Sequence, residues 1–452
     1  MTAVDLAEVR PCLEGVIPAM VATTAADGTP NVAYISQVYY VNEGHVALSF
    51  QFFNKTRQNL LAHPRSTLLV LNPLNAVFYR LHLRYLRTEE EGPVFESMKA
   101  QLAGIASHTG MAEVFRLRGS DIHEVIEVER LPQEPLAEPL PLPPAPPAAL
   151  AVLRRASARL SSARSLGAVL EATLDVLENE LAMPHAMLLI LDAASQRLYT
   201  VASRGYATSG VGSEIALGDG VIGVAARERT PVRIGHMASA YLYSRAMRDS
   251  LASGDGSVPA GTDIPYPGLS EPHSQLAVPI LSADRLLGVV FVESPQDLRF
   301  SYEDEDALVV AAGHLGAAID LLQSGAESAE GEAAAPAQED SAPSRGASLQ
   351  LRHYPANDSV FLDGEYLIKG VAGAILWKLA RDHVQQGRTE FSNRELRLDP
   401  SLGLPDISDN LEARLLLLQR RLQEHGPHLR IEKTGRGRFR LAVGRPLRLD
   451  PA

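Results

Sequence analysis

Lys55, Thr56 and Arg57 stand in the segment SFQFFNKTRQNLLAHP, residues 49–64, directly after Asn54, a residue type that caps helices. A helix opening at Lys55 exposes free backbone N–H groups. Two cations and a hydroxyl beside them suit a phosphate. An ordinary capped surface helix has the same composition, and chemistry alone favours that plainer reading. A second group of cations lies near the other end of the chain. Arg414, Arg420 and Arg421 fall in a helical stretch, Ile407–Glu424, whose Leu411, Leu415, Leu418 and Leu422 make one apolar face. LRIEKTGRGRFRLAV, residues 429–443, follows as a hairpin turning at Gly435-Arg436-Gly437 and carrying Lys433, Arg436, Arg438 and Arg440. A helix before a basic hairpin suits duplex DNA, the helix in the major groove and the hairpin on phosphates or in the minor groove. Asp406, Asp409 and Glu412 repel phosphates, and Leu416 and Leu417 stand where polar groups facing DNA are expected. His45, His63, His82, His108 and His123 could include a haem ligand, but such a residue is more often a surface or hydrogen-bonded histidine. No catalytic triad, kinase motif or Walker loop is visible, so no catalytic residues are assigned.

These groups need several domains to hold them. The chain has 452 residues, 46% hydrophobic and 21% charged, a globular composition sufficient for about three cores. Its net charge of −12 argues against a protein that coats nucleic acid by bulk charge. The charge is uneven: residues 1–130 hold 11 Lys/Arg and 14 Asp/Glu, residues 131–347 hold 14 and 27, and residues 348–452 hold 17 and 13. Only the last part is basic. A single cysteine, Cys12, excludes an intramolecular disulfide and a four-cysteine metal site. With no long apolar run and no basic-then-apolar leader, the expectation is a cytoplasmic protein without a membrane segment.

Two linkers divide the chain. Residues 131–149 are proline-rich and extended, whereas residues 324–347 are small and acidic and read as disordered. The first domain, 1–130, shows strands at Val16–Thr24, Asn31–Val41, His45–Phe52, Ser66–Leu71 and Ala76–Arg87, with a helix over Pro93–Ala106. The second, 150–323, reads as a long helix over Ala149–Leu181, strands at His185–Leu191 and Leu198–Ser203, and a hairpin over residues 274–294. A final helix covers residues 300–322. Gly218, Gly220 and Gly223 favour close packing over anion binding. Residues 244–273 are rich in glycine and proline, either a lid or a surface excursion. The third domain, 348–452, shows strands at Leu349–Leu351 and Val360–Leu362 and helices at Leu367–Gln386, Asn393–Arg397 and Ile407–Glu424.

VIPAMVATTAADGTPNVAYISQVYYV with HVALSFQFFNKTRQNLLAHP resembles the pyridoxamine 5′-phosphate oxidase-like split barrel over roughly residues 10–130. That resemblance implies an antiparallel barrel, a homodimer and bound FMN. Lys55, Thr56 and Arg57 would hold the phosphate, and Ser49, Gln51 and Asn59 would lie around the phosphate or ring, with Ser36 and Gln37 beyond. Haem is the lesser alternative. The AVPI and LLGVV strands with the glycines before them resemble a GAF domain over residues 150–323, implying a small-molecule sensor whose ligand is not identified. Absence of cysteine there argues against covalent bilin attachment. LLLLQRRL with LRIEKTGRGRFRLAV resembles the winged helix-turn-helix DNA-binding domain of response regulators over residues 348–445.

The fold expectation is thus multidomain α+β: split barrel, GAF α/β sensor and winged helix. The functional expectation is a ligand- or redox-responsive transcription regulator that is not an enzyme. A flavin-dependent oxidoreductase and a non-catalytic dimeric assembly protein are the alternatives.

Overall fold

A computed structural model describes residues 4–13, 19–35, 37–51, 55–72, 75–108, 117–132, 149–193, 195–235, 264–297, 299–329, 348–402, 404, 411–435 and 437–451. The chain opens with a short helix, α1 (Leu6–Val9), and a seven-stranded antiparallel sheet ordered β2-β1-β5-β6-β7-β4-β3. Its strands are β1 (Ala19–Thr24), β2 (Pro30–Ile35), β3 (Val38–Asn42), β4 (His45–Phe50), β5 (Arg65–Leu71), β6 (Phe78–Glu89) and β7 (Gly119–Arg130). Helices α2 (Lys55–Ala62) and α3 (Pro93–His108) complete the domain. Alternating residues, among them Val21, Leu68, Val70, Leu81 and Leu83, fill one core. The strand expected over Asn31–Val41 is two. β2 pairs with β1 while β3 pairs with β4, so the two lie on opposite edges of the sheet. β7 has no counterpart in the sequence reading. Its charged residues and irregular burial hide the period-two pattern, yet it joins β6 to β4.

Helices α4 (Ala149–Ser162) and α5 (Leu166–Asn179) replace the single helix expected there. Ser165 divides them, its hydroxyl accepting the Ala168 N–H at 3.3 Å as the cap of α5. A six-stranded antiparallel sheet follows, ordered β10-β9-β8-β13-β12-β11. It comprises β8 (His185–Asp192), β9 (Arg197–Arg204), β10 (Glu214–Ala216), β11 (Val232–Ile234), β12 (Ser274–Ser282) and β13 (Arg285–Ser294). Helix α6 (Gly220–Glu228) packs with one face of the sheet, and α4, α5 and α7 (Tyr302–Ala329) share a core with the other. A Cβ on Gly223 would lie 2.3 Å from the Ala216 carbonyl oxygen, so the glycine is required by close backbone approach. Helix α7 runs past Leu322 to Ala329, into the stretch read as linker. The rest of that linker, most of the proline-rich one, and residues 236–263, including His236, lie outside the described residues.

The C-terminal domain begins with β14 (Leu349–Tyr354), β15 (Ser359–Leu362) and β16 (Glu365–Ile368), followed by α8 (Gly370–Gln386). Then come β17 (Glu390–Ser392), α9 (Asn393–Arg397), α10 (Leu411–His425), the hairpin of β18 (Leu429–Gly435) and β19 (Arg438–Val443), and β20 (Leu447–Pro451). β16 takes the residues where the sequence predicts the start of α8, and β20 pairs in parallel with β14. The Ser392 cap stands as read, accepting the Glu395 N–H. The expected start of α10 at Ile407 lies outside the described residues. Among the described residues no helix is long and apolar enough to cross a membrane.

The first two domains meet through aromatic and polar groups. The Arg10 guanidinium lies 4.7 Å from the Tyr40 ring and 4.2 Å from the Tyr302 ring, and Arg233 sits 4.2 Å from the same Tyr302 ring. Ser97 and Thr230 hydroxyls are 2.8 Å apart across the same junction.

Candidate functional site

The first turn of α2 holds the residues singled out for phosphate. Lys55 is exposed. Thr56 is buried, and its hydroxyl accepts from Asn31 Nδ2 at 3.0 Å. Asn59 is buried and donates to the Thr23 hydroxyl at 3.1 Å. Arg57 turns inward across the face of Phe50, 3.6 Å from its ring centre. Its Nη1 lies 2.6 and 2.8 Å from the two carboxylate oxygens of Asp121, and its Nη2 donates to Thr88 at 3.1 Å. Thr88 in turn donates to Asp121 at 2.6 Å and meets the Tyr85 hydroxyl at 2.8 Å.

Ser49 lies opposite Ser120 in the β4–β7 ladder, and Gln51 is buried just beyond. Gln51 Oε1 and Ser120 Oγ are buried without a hydrogen-bond partner among the described residues. Leu48 faces Asp121 and Ser49 faces Ser120, so by strand alternation Ser49 and Ser120 lie on the side of the sheet opposite to the Arg57–Asp121 pair. In kind, the groups that fit the phosphate of a flavin mononucleotide are Lys55 and Arg57, which supply charge; the orphaned Gln51 Oε1 is an acceptor and calls for an N–H or O–H donor instead. Any anion reaching Arg57 must contend with Asp121, already in place. Gln37 is buried, and its carbonyl accepts the Ser49 N–H. Ser36 and Asn54 lie outside the described residues.

The candidate haem ligands are largely occupied. His45 Nδ1 is 2.8 Å from Asn42 Oδ1, and His82 is 3.5 Å from a Glu129 oxygen. His123 is fully buried, its Nδ1–H donating to the Asp121 carbonyl at 2.8 Å, and burial pushes its pKa below the usual 6.5. Cys12 is buried too, which pushes its thiol up to about 12 and leaves it unreactive.

The C-terminal cations divide in two. On the hairpin, Lys433 and Arg438 are exposed, Lys433 lying 3.9 Å from a Glu412 oxygen, whereas Arg440 donates to Glu432 at 2.7 Å. Arg436 lies outside the described residues. On α10 the arginines are engaged within the chain. Arg421 donates to the Leu367 carbonyl at 3.0 Å and to Glu424 at 2.7 Å. Arg414 donates to Asp192 of β8 at 2.7 Å. Arg420 donates to the Val201 carbonyl at 2.6 Å and to Glu171 of α5 at 2.7 Å. Asp121, Thr88, Asp192 and Glu171 were all missed from sequence, because nothing in a distant strand or helix marks it as the partner of a particular arginine.

Two family models match the chain: pyridoxamine 5′-phosphate oxidase over residues 6–127 and the GAF domain over residues 163–320. Neither extends to the C-terminal domain, so the winged-helix reading is not shown by them. No curated protein matches. Among solved structures, the GAF domain of an Acinetobacter phosphoenolpyruvate-protein phosphotransferase is 23% identical, covering 39% of this chain and 94% of its own, with a TM-score of 0.31. An FMN-binding protein from Syntrophomonas wolfei is 17% identical over 28% of this chain and 86% of its own, with a TM-score of 0.25. Free methionine-R-sulfoxide reductase from Neisseria meningitidis is 20% identical over 41% and 97%, with a TM-score of 0.30. The chain thus joins a pyridoxamine 5′-phosphate oxidase-like domain to a GAF domain.

Proposed function

We propose that this protein is a cytoplasmic, homodimeric transcription regulator in which an FMN-binding split barrel and a GAF sensor control a winged-helix DNA-binding domain. The observation that carries this reading is the C-terminal element order. A sheet, a helix, a strand and two more helices lead into the hairpin of β18 and β19, whose Lys433 and Arg438 are exposed. A helix followed at once by a hairpin with exposed cations is the geometry that lays one element in a groove and the other on phosphates. The basic balance of residues 348–452 supports it.

In the barrel, Lys55 and Arg57 supply the charge that would hold an FMN phosphate, and a bound flavin would supply redox chemistry. A ligand or redox state changes DNA affinity only if it favours one arrangement of the domains over another. The test is fluorescence anisotropy of labelled duplex DNA with the full chain, with salt stepped from about 50 to about 200 mM. Affinity whose logarithm falls linearly with log salt is expected. A full chain that binds no duplex even at the lowest salt overturns the reading.

A further inference from the structure

Helix α10 has two apolar faces. Leu411, Leu418 and Leu422 belong to the core of the C-terminal domain. Ala413 belongs instead to the core of the GAF domain, and Leu416 packs against that core. The 413–416–420 stripe is therefore the face turned away from the helix's own domain, the face that would enter a groove. Arg420 belongs to it and Arg414 flanks it. Arg414 pairs with Asp192 at 2.7 Å, both side chains nearly buried, at 10% and 12% exposure. Arg420 reaches Glu171 and the Val201 carbonyl. Val201 is skipped in the β8–β9 register, where Leu188 faces Ala202 and Leu189 faces Thr200. This irregularity takes Val201 out of the β8 ladder, and its carbonyl accepts from α10 instead. Tyr199 packs against the C-terminal core, Val211 joins it, and Lys369 pairs with Glu214 at 3.3 Å. The hairpin cations Lys433 and Arg438 stay exposed.

We propose that the GAF domain holds α10 shut: its sheet, through Asp192 and the Val201 carbonyl, and α5, through Glu171, cover the outward face of the helix, so duplex DNA reaches that face only after the two domains part. This inference rests on the DNA-binding reading and names how that site is regulated. In the closed arrangement the hairpin alone meets phosphate, giving weak and salt-dependent binding. Release adds the helix. Leu416, out of place for a helix facing DNA, has its role in the closed form.

The test uses the full chain with Asp192→Asn and Glu171→Gln together, and Asp192→Asn alone as the milder variant. Neither residue belongs to the DNA-binding surface, and Arg204 keeps Asp175 and Glu178 when Glu171 is neutralised. Two quantities are read: amide exchange across α10 and affinity for labelled duplex DNA. Unchanged exchange in β12 and β13 certifies that the GAF domain stays folded. The expected result is faster exchange in α10 and DNA binding about tenfold tighter than wild type, within the range of ordinary domain coupling. Unchanged exchange in α10 overturns the inference, and wild-type binding through the hairpin then leaves the DNA reading standing. Faster exchange without tighter DNA binding also overturns it. If the wild type binds no DNA either, the functional reading falls with it.

Discussion

Asp121 of β7 occupies the guanidinium of Arg57, the residue whose position in the FFNKTRQNL segment marks it for phosphate, with both carboxylate oxygens within 2.8 Å of one nitrogen. The barrel thus already holds an anion where the sequence points to one. Both side chains are nearly buried, Arg57 at 14% and Asp121 at 7% exposure. Removing one would strand the other's charge. Arg57→Ala is expected to destabilise the barrel by about 3 kcal/mol in chemical denaturation. A loss under about 1 kcal/mol would mean the pair is solvated in solution.

The same pair sets opposite expectations for FMN. Lys55→Ala with Arg57→Ala should weaken binding at least about tenfold, the scale of a lost charge-assisted hydrogen bond. Asp121→Asn should tighten it by a similar factor, since Arg57 no longer has a resident carboxylate. Flavin fluorescence titration reads both. Equal affinity in all three proteins would remove these residues from the site.

On the hairpin, Lys433→Ala with Arg438→Ala should lower DNA affinity and reduce the slope of log affinity against log salt by about two, one for each phosphate left without its cation. A slope at the wild-type value would show that the hairpin does not touch phosphate.

His123 gives the barrel a pH dependence of known sign. Burial holds its folded pKa below the unfolded value of 6.5, so the unfolded chain binds the extra proton first. The stability this residue contributes is complete above 6.5 and is lost as pH falls below it. Nδ1–H is used by the Asp121 carbonyl, and Nε2 has no partner among the described residues to receive a second N–H. Thermal midpoints measured from pH 8 down to about pH 5 should fall, and His123→Gln should flatten that fall. Parallel profiles for the two proteins would assign the acid sensitivity elsewhere.

Gly373 of α8 sets a packing limit. A Cβ there would stand 1.9 Å from the Asp358 carbonyl oxygen. Gly373→Ala should therefore cost the C-terminal domain about 2 kcal/mol or more in denaturant titration. Wild-type stability would mean that the β14–β15 turn yields freely.

What was legible in the sequence was what is contiguous in it. The Ser392 cap, the hairpin at residues 282–285 and the α10 periodicity all depend on neighbours within a few residues. Ala283 and Asp284 adopt left-handed backbone there, as a tight hairpin demands. The partners of the arginines were not legible. Asp121 lies 64 residues from Arg57, Asp192 lies 222 from Arg414, and Glu171 lies 249 from Arg420. Only the folded chain brings them together. The apolar character of Leu416 was visible as an anomaly, and its cause is the GAF core that it packs against.

Tyr302, clasped by Arg10 from the barrel and Arg233 from the GAF domain, is also the first residue of a helix 28 residues long. Such a helix is a rod of about 42 Å, so a tilt of about 5° at its clasped end carries the other end by about 4 Å. A small change of angle at the clasp would therefore be a larger change of position at the far end of α7.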